Sequence, residues 1–106
     1  MSRRKRILIT GADGFIGGAL GKFISLKRLP YEVLGISRRR EVSKKIIRAN
    51  LNDPQKTFDT LSALRPDYIF HCAGGRSADE QKVLRSNFET TRVLLESVLK
   101  IKGYRP

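Results

Sequence analysis

Three glycines stand three residues apart in the stretch Thr10-Gly11-Ala12-Asp13-Gly14-Phe15-Ile16-Gly17. Positions without a side chain let a phosphate approach backbone N–H groups. Here they fall where an apolar run hands over to a helical pattern, so the free N–H groups of a first helical turn would face that phosphate. Gly11 suits a tight turn, Gly14 the approach of a pyrophosphate and Gly17 close contact between helix and sheet. Asp13, Phe15 and Ile16 belong to the same cradle. Gly17 and Gly21 are four apart and share one helix face, which predicts close packing there, whereas nothing in the sequence explains Gly18.

A second cluster, Ser37-Arg38-Arg39-Arg40, follows another apolar run. Guanidinium groups hold phosphate through charged, paired hydrogen bonds, and this strand end carries no carboxylate. The bland alternative is a solvated basic loop. His71 is the only histidine, and at a strand end it reads as a packed residue rather than a base or ligand. Cys72 is the only cysteine, which excludes an intrachain disulfide and a cysteine-based zinc cage. No metal site is expected.

The elements that position these groups are legible from periodicity. Ile7-Leu8-Ile9 is a continuous apolar run ending at Thr10-Gly11, as in a strand buried on both faces. Phe15 to about Lys27 repeats Ile16, Leu20, Phe23 and Ile24 at helical spacing and stops at Leu29-Pro30. Val33 to Ile36 predicts a second strand and Lys45 to Asn50 a third. Asp53-Pro54 has the order of an N-cap and a first helical residue, and that helix should end before Pro66. Asp67 to His71 predicts a fourth strand. A long helix follows from about Asp79 to Lys102, with Leu84, Phe88, Thr91, Leu95 and Val98 expected on its buried face and Gly103 as its C-cap. Strands alternating with helices predict an α/β, Rossmann-like, doubly wound parallel sheet in the order 3-2-1-4, ending before a fifth strand.

With 106 residues, 40% hydrophobic and 30% charged, the chain has the composition of one globular domain. No apolar run approaches the length of a membrane span, and the basic start Met-Ser-Arg-Arg-Lys-Arg leads into too few apolar residues for a signal peptide. With its lone thiol, the chain is expected in a reducing, cytoplasmic setting. The formal net charge of +12 would attract nucleotides, nucleic acid, anionic lipid or an acidic protein alike.

The G-x-x-G-x-x-G spacing resembles the short-chain dehydrogenase/reductase superfamily, and Gly14-Phe15-Ile16-Gly17 resembles its extended branch of NAD(P)-dependent nucleotide-sugar epimerases, dehydratases and reductases. Asp67 to Gly74 is similar to that family's fourth strand. Arg48 to Gln55 resembles its segment after strand three, and Asn87 to Ser97 its long helix. The resemblance implies that residues 1–106 form the N-terminal part of a dinucleotide-binding domain. It places Asn50 and Leu51 beside the adenine, although the usual residue at the first of these is aspartate. It sets Cys72, Ala73, Gly74 and Arg76 along the nicotinamide ribose and pyrophosphate. Asn87 would support the hydrogen-bond network of the site, a purely structural role being equally open. With arginines at the end of strand two, Arg38 first and Arg39 next, NADP is expected in preference to NAD.

The family's Tyr-x-x-x-Lys pair and its partner serine or threonine are missing. Tyr31 is followed four residues later by Gly35, Tyr68 by Cys72, and Tyr104 lies too near the last residue. The substrate-binding and catalytic region is therefore expected to be absent and the chain inactive alone. The unpaired edge of strand four would invite self-association or a partner carrying the catalytic half. Two other readings stand beside this one. One is a non-catalytic module that senses NADP; the other is nucleic-acid binding through the basic runs, for which no row of stacking aromatics or recognition helix speaks.

Overall fold

The structure, a computed structural model, describes residues 4–38, 45–74 and 79–106. Its elements follow the expected alternation: β1 (Lys5–Thr10), α1 (Phe15–Leu26), β2 (Tyr31–Ser37), β3 (Ile46–Arg48), α2 (Pro54–Leu64), β4 (Tyr68–His71) and α3 (Glu80–Lys100). The four strands form one parallel sheet in the order β3-β2-β1-β4, as the sequence predicts. β1 lies between its neighbours, with Lys5 opposite Tyr31 and Ile7 opposite Tyr68. β3 is short and pairs through Gly35 opposite Ile46.

Alternation along β1 builds the core on both sides of the sheet. Leu8, with no exposed surface, joins Ile36, Leu51, Leu61, Leu94 and Ile101 on the side of α2 and α3. Ile7 and Ile9 meet Ile24 of α1 on the other. Burying one such side chain is worth about 1.5–3 kcal/mol, so the central strand is the main anchor of both layers.

Helix ends follow local chemistry. The Asp53 side chain accepts the Lys56 N–H at 3.1 Å, and Pro54 fills the first helical position of α2. At the other end Arg65 turns into the left-handed region, φ 42°, before Pro66. Asp79 caps α3 by accepting from Gln81 and Lys82. The far end of α3 differs from expectation: its cap is Ile101 in extended conformation, because that side chain turns back into the core. Gly103, φ 73°, makes the turn two residues later. Tyr104 then folds beneath β4, its hydroxyl donating to the Pro66 carbonyl and its ring lying under Arg65. Burial, aided by Asp67, pushes this phenol up to about 12, so it keeps the donated proton.

The buried face of α3 is only in part the expected one: Val98 packs against the core and Thr91 is half-buried, but the rest differs. Leu84, Phe88 and Leu95 are exposed, as is Leu99, while Thr90, Val93, Leu94 and Ser97 face inward. Thr90 and Ser97 return their hydroxyl protons to the Ser86 and Val93 carbonyls, and Thr60 of α2 does the same to Lys56. Small side chains satisfied within their own helix can be buried beside the apolar cluster that Phe58 and Leu61 of α2 share with Leu94 and Val98 of α3. A similar reversal holds in α1: Leu20 and Ile24 pack inward, but Phe15 (86% exposed), Ile16 and Phe23 point out. Beyond β4, which pairs only with β1 among the described strands, Tyr68 and Phe70 are also open, 47% and 44% exposed.

Candidate functional site

Parallel strands end at one pole of the sheet, and the cleft lies there, between the ends of β1, β2 and β4. Its rim begins at Gly11, φ 64°, a backbone that side chains rarely adopt. A Cβ on Gly11 would also sit 2.8 Å from the Ala73 Cα, so the turn is pressed against the end of β4. The Gly11 carbonyl accepts the Gly14 N–H at 2.9 Å, and the Ala12 N–H donates to Ile36 at 3.1 Å, tying the loop to β2.

Gly14, extended at φ −83° and ψ 177°, is the N-cap of α1. It offers no side-chain acceptor, and the first turn holds no acidic residue. A helix start with no internal cap leaves its N–H groups and the positive end of its dipole to an outside acceptor, which is the donor set an anion requires. Gly17 does not line the cleft. A Cβ there would lie 2.2 Å from the Gly11 carbonyl oxygen, so the glycine is required by the packing of α1 on the turn before it rather than on the sheet. Gly21 has no such constraint, since its nearest neighbour would be Ile9 at 3.8 Å, and a Cβ on Gly18 would make only an ordinary contact.

A cavity of about 430 Å³ joins Gly11, Asp13, Gly14, Phe15 and Ile16 on one side with Arg38, Asn50 and Leu51 on another and Cys72, Ala73 and Gly74 on the third. Eleven of the expected site residues therefore share one wall. Ser37 lies just beneath it, fully buried, with its carbonyl accepting the Ala49 N–H. Asn87 stands off the wall beside Gly74, where a Cβ would meet its Oδ1 at 3.2 Å. Arg39, Arg40 and Arg76 lie outside the described residues. Four lining residues escaped the sequence reading: Ile36, Ala49, Ser86 and Thr90. The first two flank residues that the motifs point to, but Ser86 and Thr90 reach the cleft only because α3 crosses behind β4.

Arg38 is exposed on the cleft wall, and Asp13 is the only carboxylate in the lining among the described residues. Asn50 is partly engaged, its Oδ1 accepting the Asn52 N–H at 3.0 Å. One lone pair of that carbonyl therefore already belongs to the loop.

Behind the cleft, Thr10 connects three elements. Its Oγ1 accepts the Ala73 N–H at 3.1 Å and meets His71 Nδ1 at 2.7 Å, while His71 Nε2 meets Thr91 Oγ1 of α3 at 3.1 Å. A neutral ring with its proton on Nε2 satisfies all of these, since Thr10 then donates to Nδ1 and Thr91 accepts from Nε2. Burial lowers the His71 pKa and favours that neutral form. His71 is thus a packed tether between strand and helix, as the sequence suggests. Tyr31, Tyr68 and Tyr104 all lie at the opposite pole, at strand starts or after α3. Among the described residues no acidic, histidine and cysteine side chains gather as a metal cluster, and no helix is long and apolar enough to cross a membrane.

A four-stranded parallel sheet with a glycine-lined turn from its first strand into an uncapped helix is a Rossmann-like fold of the nucleotide-binding type. The profile of the NAD dependent epimerase/dehydratase family matches residues 7–105, and the chain belongs to that family. Among solved structures, a Burkholderia cenocepacia J2315 protein provisionally named an epimerase is similar at 24% identity and TM-score 0.78, over 99% of this chain and 36% of that one. The UDP-glucose 4-epimerase of Thermus thermophilus, in complex with NAD, aligns at 25% identity and TM-score 0.72, over 87% and 33%. L-Threonine dehydrogenase of Clostridium difficile aligns at 25% identity and TM-score 0.71, over 92% and 34%. The chain spans about a third of the length of these relatives.

Proposed function

We propose that the chain binds NADP(H) in the cleft at the strand ends and supplies the cofactor-holding part of a nucleotide-sugar epimerase, dehydratase or reductase. One observation carries the reading: the uncapped, acid-free start of α1 and the exposed Arg38 face the same cavity. The cofactor's pyrophosphate would lie against the N–H groups following Gly14, and its 2′-phosphate against Arg38, with Arg39 next to it in sequence. Asn50 and Leu51 would border the adenine. Cys72, Ala73 and Gly74 would border the nicotinamide ribose, with Arg76 and Asn87 as outer support. NAD is bound by the Thermus relative, so the preference for NADP rests on Arg38 and the arginines after it.

In a complete family member the nicotinamide exchanges hydride with a substrate carbon, and this domain fixes its position. We assign no turnover to the chain by itself, because its sequence contains no tyrosine with lysine four residues on. The open edge of β4, bordered by Phe70 and by the exposed Leu95 and Leu99 of α3, supports a second polypeptide adding to the sheet there. The single thiol accords with a cytoplasmic setting.

Calorimetric titration of NADPH and NADH into the purified chain tests the assignment. Gly14→Val should abolish binding of both. Arg38→Asp should weaken NADPH by at least about tenfold and NADH much less, since a charged hydrogen bond is worth about 1.5–3 kcal/mol. Unchanged NADPH affinity in both folded variants would overturn it.

A further inference from the structure

The pole opposite the cleft, where the strands start and the helices end, concentrates positive charge. Lys27 and Arg28 follow α1, Arg65 follows α2, Lys100 and Lys102 close α3, and Lys5 opens β1. A cation at a helix C-terminus offsets the helix dipole, a role that Lys27, Arg65 and Lys100 fill without being confined to it and that Lys5, Arg28 and Lys102 do not share. Two carboxylates at the strand starts, Glu32 and Asp67, both bond to Arg6, the first to its Nε at 3.2 Å and the second to its backbone N–H at 2.7 Å. They offset little of the remaining charge.

A groove of about 570 Å³ crosses this pole. Lys5, Arg6, Arg65 and Arg105 line it together with Tyr68 and Tyr104, and Asp67 is the one acidic side chain in the lining among the described residues. Several cations along a groove beside an open aromatic ring match the repeating phosphates and stackable bases of a single strand. We propose that this pole binds single-stranded nucleic acid, with phosphates on Lys5, Arg65 and Arg105 and a base against Tyr68. The surface is separate from the dinucleotide cleft, so the two ligands bind together.

The test is fluorescence anisotropy of a labelled oligothymidylate with the purified chain, at about 50 mM and about 200 mM NaCl. The triple variant Lys5→Gln/Arg65→Asn/Arg105→Gln should lose at least tenfold in affinity at the lower salt. Its log–log salt slope should become shallower by about two, since each phosphate contact on a single strand contributes about 0.7. Lys56→Gln/Lys82→Gln/Arg85→Gln removes the same charge at the other pole and should change affinity less than threefold by the same reasoning, taking about 0.5 of a log unit as the non-local effect. Tyr68→Leu should weaken binding by at least about fivefold through lost stacking. Circular dichroism checks folding, and Lys5→Gln and Arg105→Gln singly carry the test if the triple variant unfolds. Equal losses in the two triple variants, displacement by saturating NADPH, equal affinity for a duplex of the same length, or no binding at the lower salt would each overturn the proposal.

Discussion

Gly17 and Gly18 are adjacent in α1, and helix propensity alone predicts that alanine at either would stabilise the chain by about 1 kcal/mol. Their surroundings separate them. A Cβ on Gly18 would lie 3.5 Å from the Ala12 carbonyl oxygen, an ordinary contact, so Gly18→Ala should keep a gain of about 0.5–1 kcal/mol. A Cβ on Gly17 would lie 2.2 Å from the Gly11 oxygen and 2.9 Å from its carbonyl carbon. Carbon and carbonyl oxygen rest at about 3.3 Å or more, so α1 must withdraw by about 1 Å. Nothing flexible can yield, because the obstruction is backbone and Gly11 is itself wedged against Ala73. Overpacking of this kind costs about 1–3 kcal/mol or more, which outweighs the propensity gain. The propensity gain is common to both, so the two variants should differ by the overpacking cost, about 1–3 kcal/mol, in favour of Gly18→Ala. Urea unfolding followed by circular dichroism reads that difference as about 1–2 M between midpoints for a domain of this size. A Gly17→Ala protein as stable as Gly18→Ala would refute the packing account of the loop.

Two further outcomes follow from the hydrogen-bond network. His71 has a folded-state pKa below its ordinary 6.5, so the unfolded chain takes up this proton first. The stability it contributes is complete above about pH 6.5 and declines as the pH falls from there through the lowered folded value. Urea midpoints should drop between about pH 7.5 and about pH 5.5, and His71→Gln should flatten that dependence; equal slopes would rule out the tether. Asp53→Ala removes the acceptor of the Lys56 N–H and should lower stability by about 1 kcal/mol in the same urea assay.

The order of strands, the cap at Asp53 and eleven of the fifteen residues lining the cleft could be read from the sequence because each depends on neighbours along the chain. Gly11 needs positive φ, Pro54 needs a helix start, and an apolar run next to glycine ends at the sheet's edge. What escaped depends on neighbours in space. Periodicity marks an apolar stripe on α3, yet Leu84 and Phe88 are outside, while Thr90 and Ser97, each bonded within its own helix, are buried. A threonine that returns its proton to its own helix carries no hydrophobic signal, and so it is invisible to patterning. Ser86 and Thr90 escape notice in the cleft for the same reason.

Arg6 spans the two seams of β1: its side chain meets Glu32, 26 residues on, and its N–H meets Asp67, 61 residues on. Closing the longer loop costs about 0.8 kcal/mol more in chain entropy than closing the shorter one. The cleft depends on that more distant seam, because Gly11 presses on Ala73 and Thr10 holds its N–H across it. The half of the wall built by β1, α1 and β2 can therefore form from the first third of the chain, whereas the β4 half waits for the sheet to close. A molecule held between the two halves acts as a clasp on the more distant of the two seams.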